Sequence, residues 1–261
     1  MHGRKKWQNF YDQDSLARQR EFFDHFLKGE ENTVTSWPKV RIEVRDRAYV
    51  GENRAENEWP LARTEYTPLY LDGGREAMSK DPAPNPETIS YDAATGKVVF
   101  EHTFAEDTEI TGYTKLRLWV EAQGSNDMDL FVALQKLDAD GNEVNYPFFS
   151  TFDDGNIALG WLRVSRRQLA EDSRPEQPRY THQTEELLSE GDIVPVDIEI
   201  WPSSTLFHSG ETLRLVIQGH DVNSYAHGLF AQGHTYTRNS GQHIIHTGDG
   251  HDSHLLLPII P

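Results

Sequence analysis

The chain has 261 residues, no cysteine, and 25 Lys+Arg against 42 Asp+Glu, a net charge of -17. That composition excludes a disulfide framework, a cysteine nucleophile and thiolate metal sites, and an acidic surface of that size repels phosphate backbones and anionic membranes. Hydrophobic residues make up 36% and aromatic residues 11%, enough for a folded core. The longest apolar run, near Leu255–Ile260, falls far short of the ~20 residues a membrane helix needs. No secretory signal follows the basic start Arg4-Lys5-Lys6, so the expected location is cytoplasmic, with neither nucleic acid nor membrane as partner.

In chain order, the spacing predicts one helix over residues 14–29, DSLARQREFFDHFLKG. Asp14 is the expected cap, because its carboxylate can accept from free N–H groups of the first turn. Leu16, Gln19, Phe23, Phe26 and Leu27 share one stripe, widened by Phe22. Gly29 supplies a left-handed stop. After Trp37-Pro38 the period changes from 3.6 to 2. Val40, Ile42 and Val44 alternate with Arg41, Glu43 and Arg45, as in a half-buried strand. A second short strand lies within residues 59–74. Residues 75–87, with Pro82, Pro84 and Pro86, read as an exposed loop.

Strands then recur over 96–104, 115–123, 129–137, 161–169, 196–202, 211–221, 242–248 and 254–261. Leu116, Leu118 and Val120 face one way. So do Val196, Ile198 and Ile200, and Leu213, Leu215 and Ile217. Asp138–Asn142 is a hairpin turn, since Asp-Gly tolerates positive φ. Eight to ten short strands with no helix between them argue for an antiparallel β-sandwich, of jelly-roll or immunoglobulin type.

Three constellations invite a chemical reading. Histidines crowd the C-terminal part: His220, His227, His234, His243, His246, His251 and His254. The i, i+3 pairs His243/His246 and His251/His254 would point to opposite faces of a strand, so interface or turn roles are expected rather than zinc. Asp127 and Asp129 supply too few carboxylates for calcium. No metal and no cofactor is expected. Trp119, Trp161, Trp201 and Tyr225 could form a sugar platform, although strand aromatics more often belong to a core.

Several segments resemble the C-terminal portion of the X-prolyl dipeptidyl-peptidase and cocaine-esterase-like serine hydrolases, the CocE/NonD group. They are FFDHFLKG, WPKVRIEVR, residues 109–144, GWLRVSRRQL, residues 194–221 and the ending from His243 to Pro261. The resemblance covers nearly the whole chain, with its motifs in order. It implies a jelly roll of the galactose-binding-domain-like kind over residues 37–261. It also implies that residues 1–36 are the last loop and helix of an α/β-hydrolase domain. The family's nucleophile stands in a G-x-S-x-G-like turn, and no G-x-S-x-G occurs here. The chain is therefore expected to be a fragment or truncated product, inactive alone. In the complete enzyme a Ser-His-Asp triad would act on a small ester or peptide through an acyl-enzyme. His2, in the segment HGRKKW, is the one candidate catalytic residue. The expected partner is the α/β-hydrolase domain, and helix 14–29 is expected to self-associate without it. The rival reading is a free-standing carbohydrate-binding module.

Overall fold

The computed structural model describes residues 8–148, 152–223 and 233–261. His2, Tyr225 and His227 lie outside the described residues. A short helix α1 (Gln8–Tyr11) leads into α2 (Gln13–Lys28). The cap is Asp12, not Asp14. Asp12 stands in extended backbone and its Oδ1 accepts from Ser15 N at 2.6 Å, so the helix begins one residue earlier than expected. Asp14 falls in the first turn instead, where a carboxylate still favours the positive end of the helix dipole. Gly29, at φ 72°, ends the helix as its sequence predicts.

Sixteen strands follow among the described residues. They are β1 (Val40–Arg47), β2 (Val50–Glu56), β3 (Glu65–Asp72), β4 (Ala77–Ser79), β5 (Glu87–Asp92), β6 (Lys97–Thr103), β7 (Thr108–Gln123) and β8 (Asp129–Leu137). Then come β9 (Glu143–Val144), β10 (Tyr146–Phe148), β11 (Phe152–Gly155), β12 (Ala158–Arg163), β13 (Val194–Phe207), β14 (Thr212–Gln218), β15 (Gln242–Thr247) and β16 (His254–Ile260). The count exceeds eight to ten because several strands are two to four residues long, too short to show a period. One of them, β4, lies inside the stretch read as an exposed loop. It buries Met78 at 3% exposure and pairs with β3. The strand expected over 161–169 stops at Arg163, where a 3-10 turn (Val164–Arg166) takes over.

The main sheet runs β2-β1-β13-β12-β8-β14-β6-β4-β3-β16-β7-β15-β5, and β7 also pairs with β13. That extra pairing folds the path back on itself. The result is a barrel-like β-sandwich, as the alternation implied, and mainly-β and jelly-roll-like, as the family resemblance implied. Most neighbours are antiparallel; β1–β13 and β4–β6 are parallel. The three predicted stripes all reach the core: Leu116, Leu118, Ile198, Ile200, Leu215 and Ile217 are fully buried. Each such side chain contributes roughly 1.5–3 kcal/mol.

Buried ions fasten β1 and β2 to this core. Lys136 of β8 is 1% exposed, and its Nζ reaches Asp46 Oδ1 at 3.0 Å and Glu211 Oε2 at 2.7 Å. Arg54 of β2 grips Glu109 of β7 through two bonds, at 2.6 and 2.7 Å. Glu56 accepts from both Arg63 and Arg54, which holds its carboxyl well below the usual carboxylate range.

Candidate functional site

Two surfaces stand out, and the sequence had named residues in both. The first is the apolar face of α2. No residue of this helix is buried. Phe23, Phe26 and Leu27 are 53%, 60% and 76% exposed. Phe22 packs on Phe26 with ring centroids 4.7 Å apart. The helix is held at its back by polar contacts: Asn32 Nδ2 donates to Glu21 O at 2.7 Å, and the Arg18 guanidinium lies over Trp37. It turns its apolar stripe to solvent because nothing among the described residues covers it.

The second is a cleft of about 440 Å³ on the outer face of the sandwich. The alternation that sends Ile198 and Ile200 inward sends Glu199 and Trp201 outward. Gly160 pairs with Ile200, so Trp161 stands opposite Glu199. Phe131 of β8 pairs with Trp161 in turn. Trp161 and Trp201 meet edge to face, centroids 5.2 Å apart, and the His234 ring lies 5.7 Å beyond Trp161. Gly160 permits this approach. A Cβ there would sit 2.3 Å from Glu199 O, against backbone that cannot yield. Two loops wall the cleft, one bringing Tyr180 and His182, the other His234 and Tyr236.

Of the four aromatics named for a sugar platform, the structure joins Trp161 and Trp201. Trp119 is elsewhere, on β7, donating Nε1–H to Asp252 at 2.7 Å. The histidines do not converge: no group of three metal-ligating side chains occurs among the described residues. His243 is fully buried with Nδ1 against the Tyr91 hydroxyl at 3.1 Å, and burial lowers its pKa to about 4. His246 meets Glu121 at 3.0 Å. Asp127 and Asp129 are structural. Asp127, fully buried, accepts from Ser165 N and Oγ, and Asp129 accepts two bonds from Arg163. Sequence reasoning missed Glu199 as a site residue; its only signal was the outward phase it shares with Trp201. It also missed Tyr180, His182 and Tyr236, which sit in loops without a period.

Similarity to known proteins bears on both surfaces. The chain is 27% identical to cocaine esterase of Rhodococcus sp., covering 95% of this chain and 46% of that protein. A crystal structure of a CocE/NonD family hydrolase from Staphylococcus aureus superposes with a TM-score of 0.94. It is 42% identical, over 97% of this chain and 47% of that one. An aminopeptidase from a marine-sediment thaumarchaeon shares the fold at a TM-score of 0.68 and 14% identity, over 97% of this chain and 45% of its own. The chain thus spans about half the length of these relatives. No helix among the described residues is long and apolar enough to cross a membrane. Residues 32–256 match the X-Pro dipeptidyl-peptidase C-terminal non-catalytic domain, and this chain belongs to that family.

Proposed function

We propose that this chain serves as the C-terminal part of a serine hydrolase whose catalytic α/β-hydrolase domain packs on the apolar face of α2. The observation that carries the reading is the coverage. Almost the whole chain aligns with under half of a CocE/NonD hydrolase, while α2 presents five large apolar side chains to solvent, Leu16, Phe22, Phe23, Phe26 and Leu27. Residues 1–36 belong with the catalytic domain in this reading, and residues 37–261 form the jelly roll that helps shape the substrate pocket. The parent reaction is cleavage of an ester, amide or Xaa-Pro peptide through an acyl-enzyme. His2, outside the described residues, is the proposed triad histidine. It takes the serine proton and returns it to the leaving group.

Alone, the chain should turn over nothing. An imidazole without a serine has no nucleophile to activate, and without an aspartate nothing fixes its tautomer. The test assays a chromogenic acetate ester and an Xaa-Pro anilide, first with the chain alone, then with a catalytic half of a CocE/NonD hydrolase added in trans. The expected result is turnover only in the mixture, lost in His2→Ala. Saturable turnover by the isolated chain, blocked by a serine-directed phosphonate, would overturn the reading.

A further inference from the structure

We propose that the outer-face cleft between Trp161, Trp201 and His234 binds an organic ammonium ion, with Glu199 as its counter-ion. The inference goes beyond the hydrolase reading, since it concerns a ligand site on the jelly roll itself.

The charge balance of the cleft points to a cation. Two guanidinium groups, of Arg163 and Arg166, line it, and both are already matched, as is that of Arg238 next to the lining Thr237. Arg163 binds Asp129 at 2.7 Å, Arg238 binds Glu185 at 2.7 Å and Asp127 at 3.4 Å, and Arg166 lies 3.6 Å from Glu185. Three carboxylates thus offset three arginines. His234 has its own partner in Asp221 at 2.8 Å. The Glu199 carboxylate has no ion-pair or hydrogen-bond partner among the described residues; only its backbone N–H is used, donating to the Tyr180 hydroxyl at 3.1 Å. One negative charge is left over, and it faces the aromatic walls.

Those walls suit a cation better than an anion or a neutral ring. Trp161 is inclined 69° to Trp201 and 52° to His234. The rings touch one another, so their free faces turn in different directions and line the cleft rather than forming one flat platform. Ring faces carry the negative end of the aromatic quadrupole and attract an ammonium group, more strongly where water is displaced. A cleft of about 440 Å³ is within the usual size for a small-molecule site. His182 on its rim is one of three non-glycine residues with positive φ among the described residues, at 53°. Its ring lies 5.8 Å from Tyr180. Strained backbone of this kind gathers at ligand sites. The net charge of -17 raises the local concentration of any cation.

Choline is the probe, and 3,3-dimethyl-1-butanol is its neutral isostere. Titration of the 261-residue chain by calorimetry and by the tryptophan indole N–H signals should show saturable choline binding. The Trp161 and Trp201 signals should move while that of Trp119 stays in place. The isostere should bind at least about tenfold more weakly, a difference of about 1.4 kcal/mol. Glu199→Gln and Trp201→Ala should each lose about tenfold, with Trp201→Phe recovering most of it and with thermal melts of all three close to the parent. Equal binding of the isostere, or unchanged affinity in Glu199→Gln, would overturn the proposal. Absence of choline binding would do the same, and binding of methyl β-galactoside in its place would make the cleft a sugar site.

Discussion

Helix α2 and the sandwich use the same side chains to opposite ends. Phe26 on the helix is 60% exposed, while Phe100 and Phe207 in the sandwich are fully buried. The helix closes its backbone well, with Asp12 at one end and Gly29 at the other. Its caps satisfy local hydrogen bonding; its stripe has no core to join. The sandwich does the reverse, tolerating short irregular strands because the interior they enclose is continuous from Leu69 to Leu257. A segment can therefore be locally complete while its apolar face stays unpartnered among the described residues.

The contrast can be broken hardest at the buried lysine. Lys136→Ala would strip Glu211 of its cation and leave Asp46 with the surface Arg47, a loss of about 3–5 kcal/mol. The midpoint of urea unfolding should fall accordingly, while Lys136→Met, which removes the charge but keeps the packing, still leaves Glu211 without a cation and recovers little.

Acid should act next, and on the sandwich alone. His243 has a folded pKa of about 4 against roughly 6.5 when unfolded. The unfolded state then binds the extra proton between those values, so stability is full above pH 6.5 and falls as pH drops toward 4. The total is roughly 3 kcal/mol for this group. Urea titrations at stepped pH should show that slope, and His243→Phe should flatten it. A variant with the parent's full slope would assign the loss to other groups.

A third change sharpens the comparison from the helix side. Asp12→Ala removes the cap and should cost α2 about 1 kcal/mol. The loss should register in far-ultraviolet circular dichroism below the main transition without moving that transition, because the sandwich does not lean on the helix. A shared shift would mean that the two regions unfold as one.

The smallest effect on folding belongs to the stripe. Phe26→Ala should change stability of the isolated chain by less than about 0.5 kcal/mol, as exposed substitutions do. Its effect on association should be larger. Sedimentation of the parent chain at tens of micromolar should show dimers or larger species held by Phe22, Phe23, Phe26 and Leu27, and the Phe26→Ala chain should shift toward monomer. A monomeric parent would refute self-association.

Much of the sandwich was legible because strands such as β13 bury one face and leave the other partly exposed. Val196, Ile198 and Ile200 show that period plainly. It fails for β14 and for β8, whose side chains are nearly all buried. Phe131, on its outer face, is covered by the His234 ring, a neighbour more than a hundred residues on. The Asp12 cap was missed because Asp12 and Asp14 offer the same chemistry two positions apart, and only backbone geometry separates them. The cleft was half legible: Trp161 and Trp201 were named, but strand pairing, not sequence distance, makes them neighbours.

The place of β16 governs how the sheet can close. The last strand lies between β3 and β7, pairing Ile259 with Glu65 on one side and with Ile110 on the other. An early strand thus waits for the final residues before its ladder can close. Such distant pairing slows folding and prolongs the exposure of unpaired edges. Protease resistance of the sandwich should accordingly require β16; resistance in a chain truncated before His254 would show that the rest of the sheet closes without that strand.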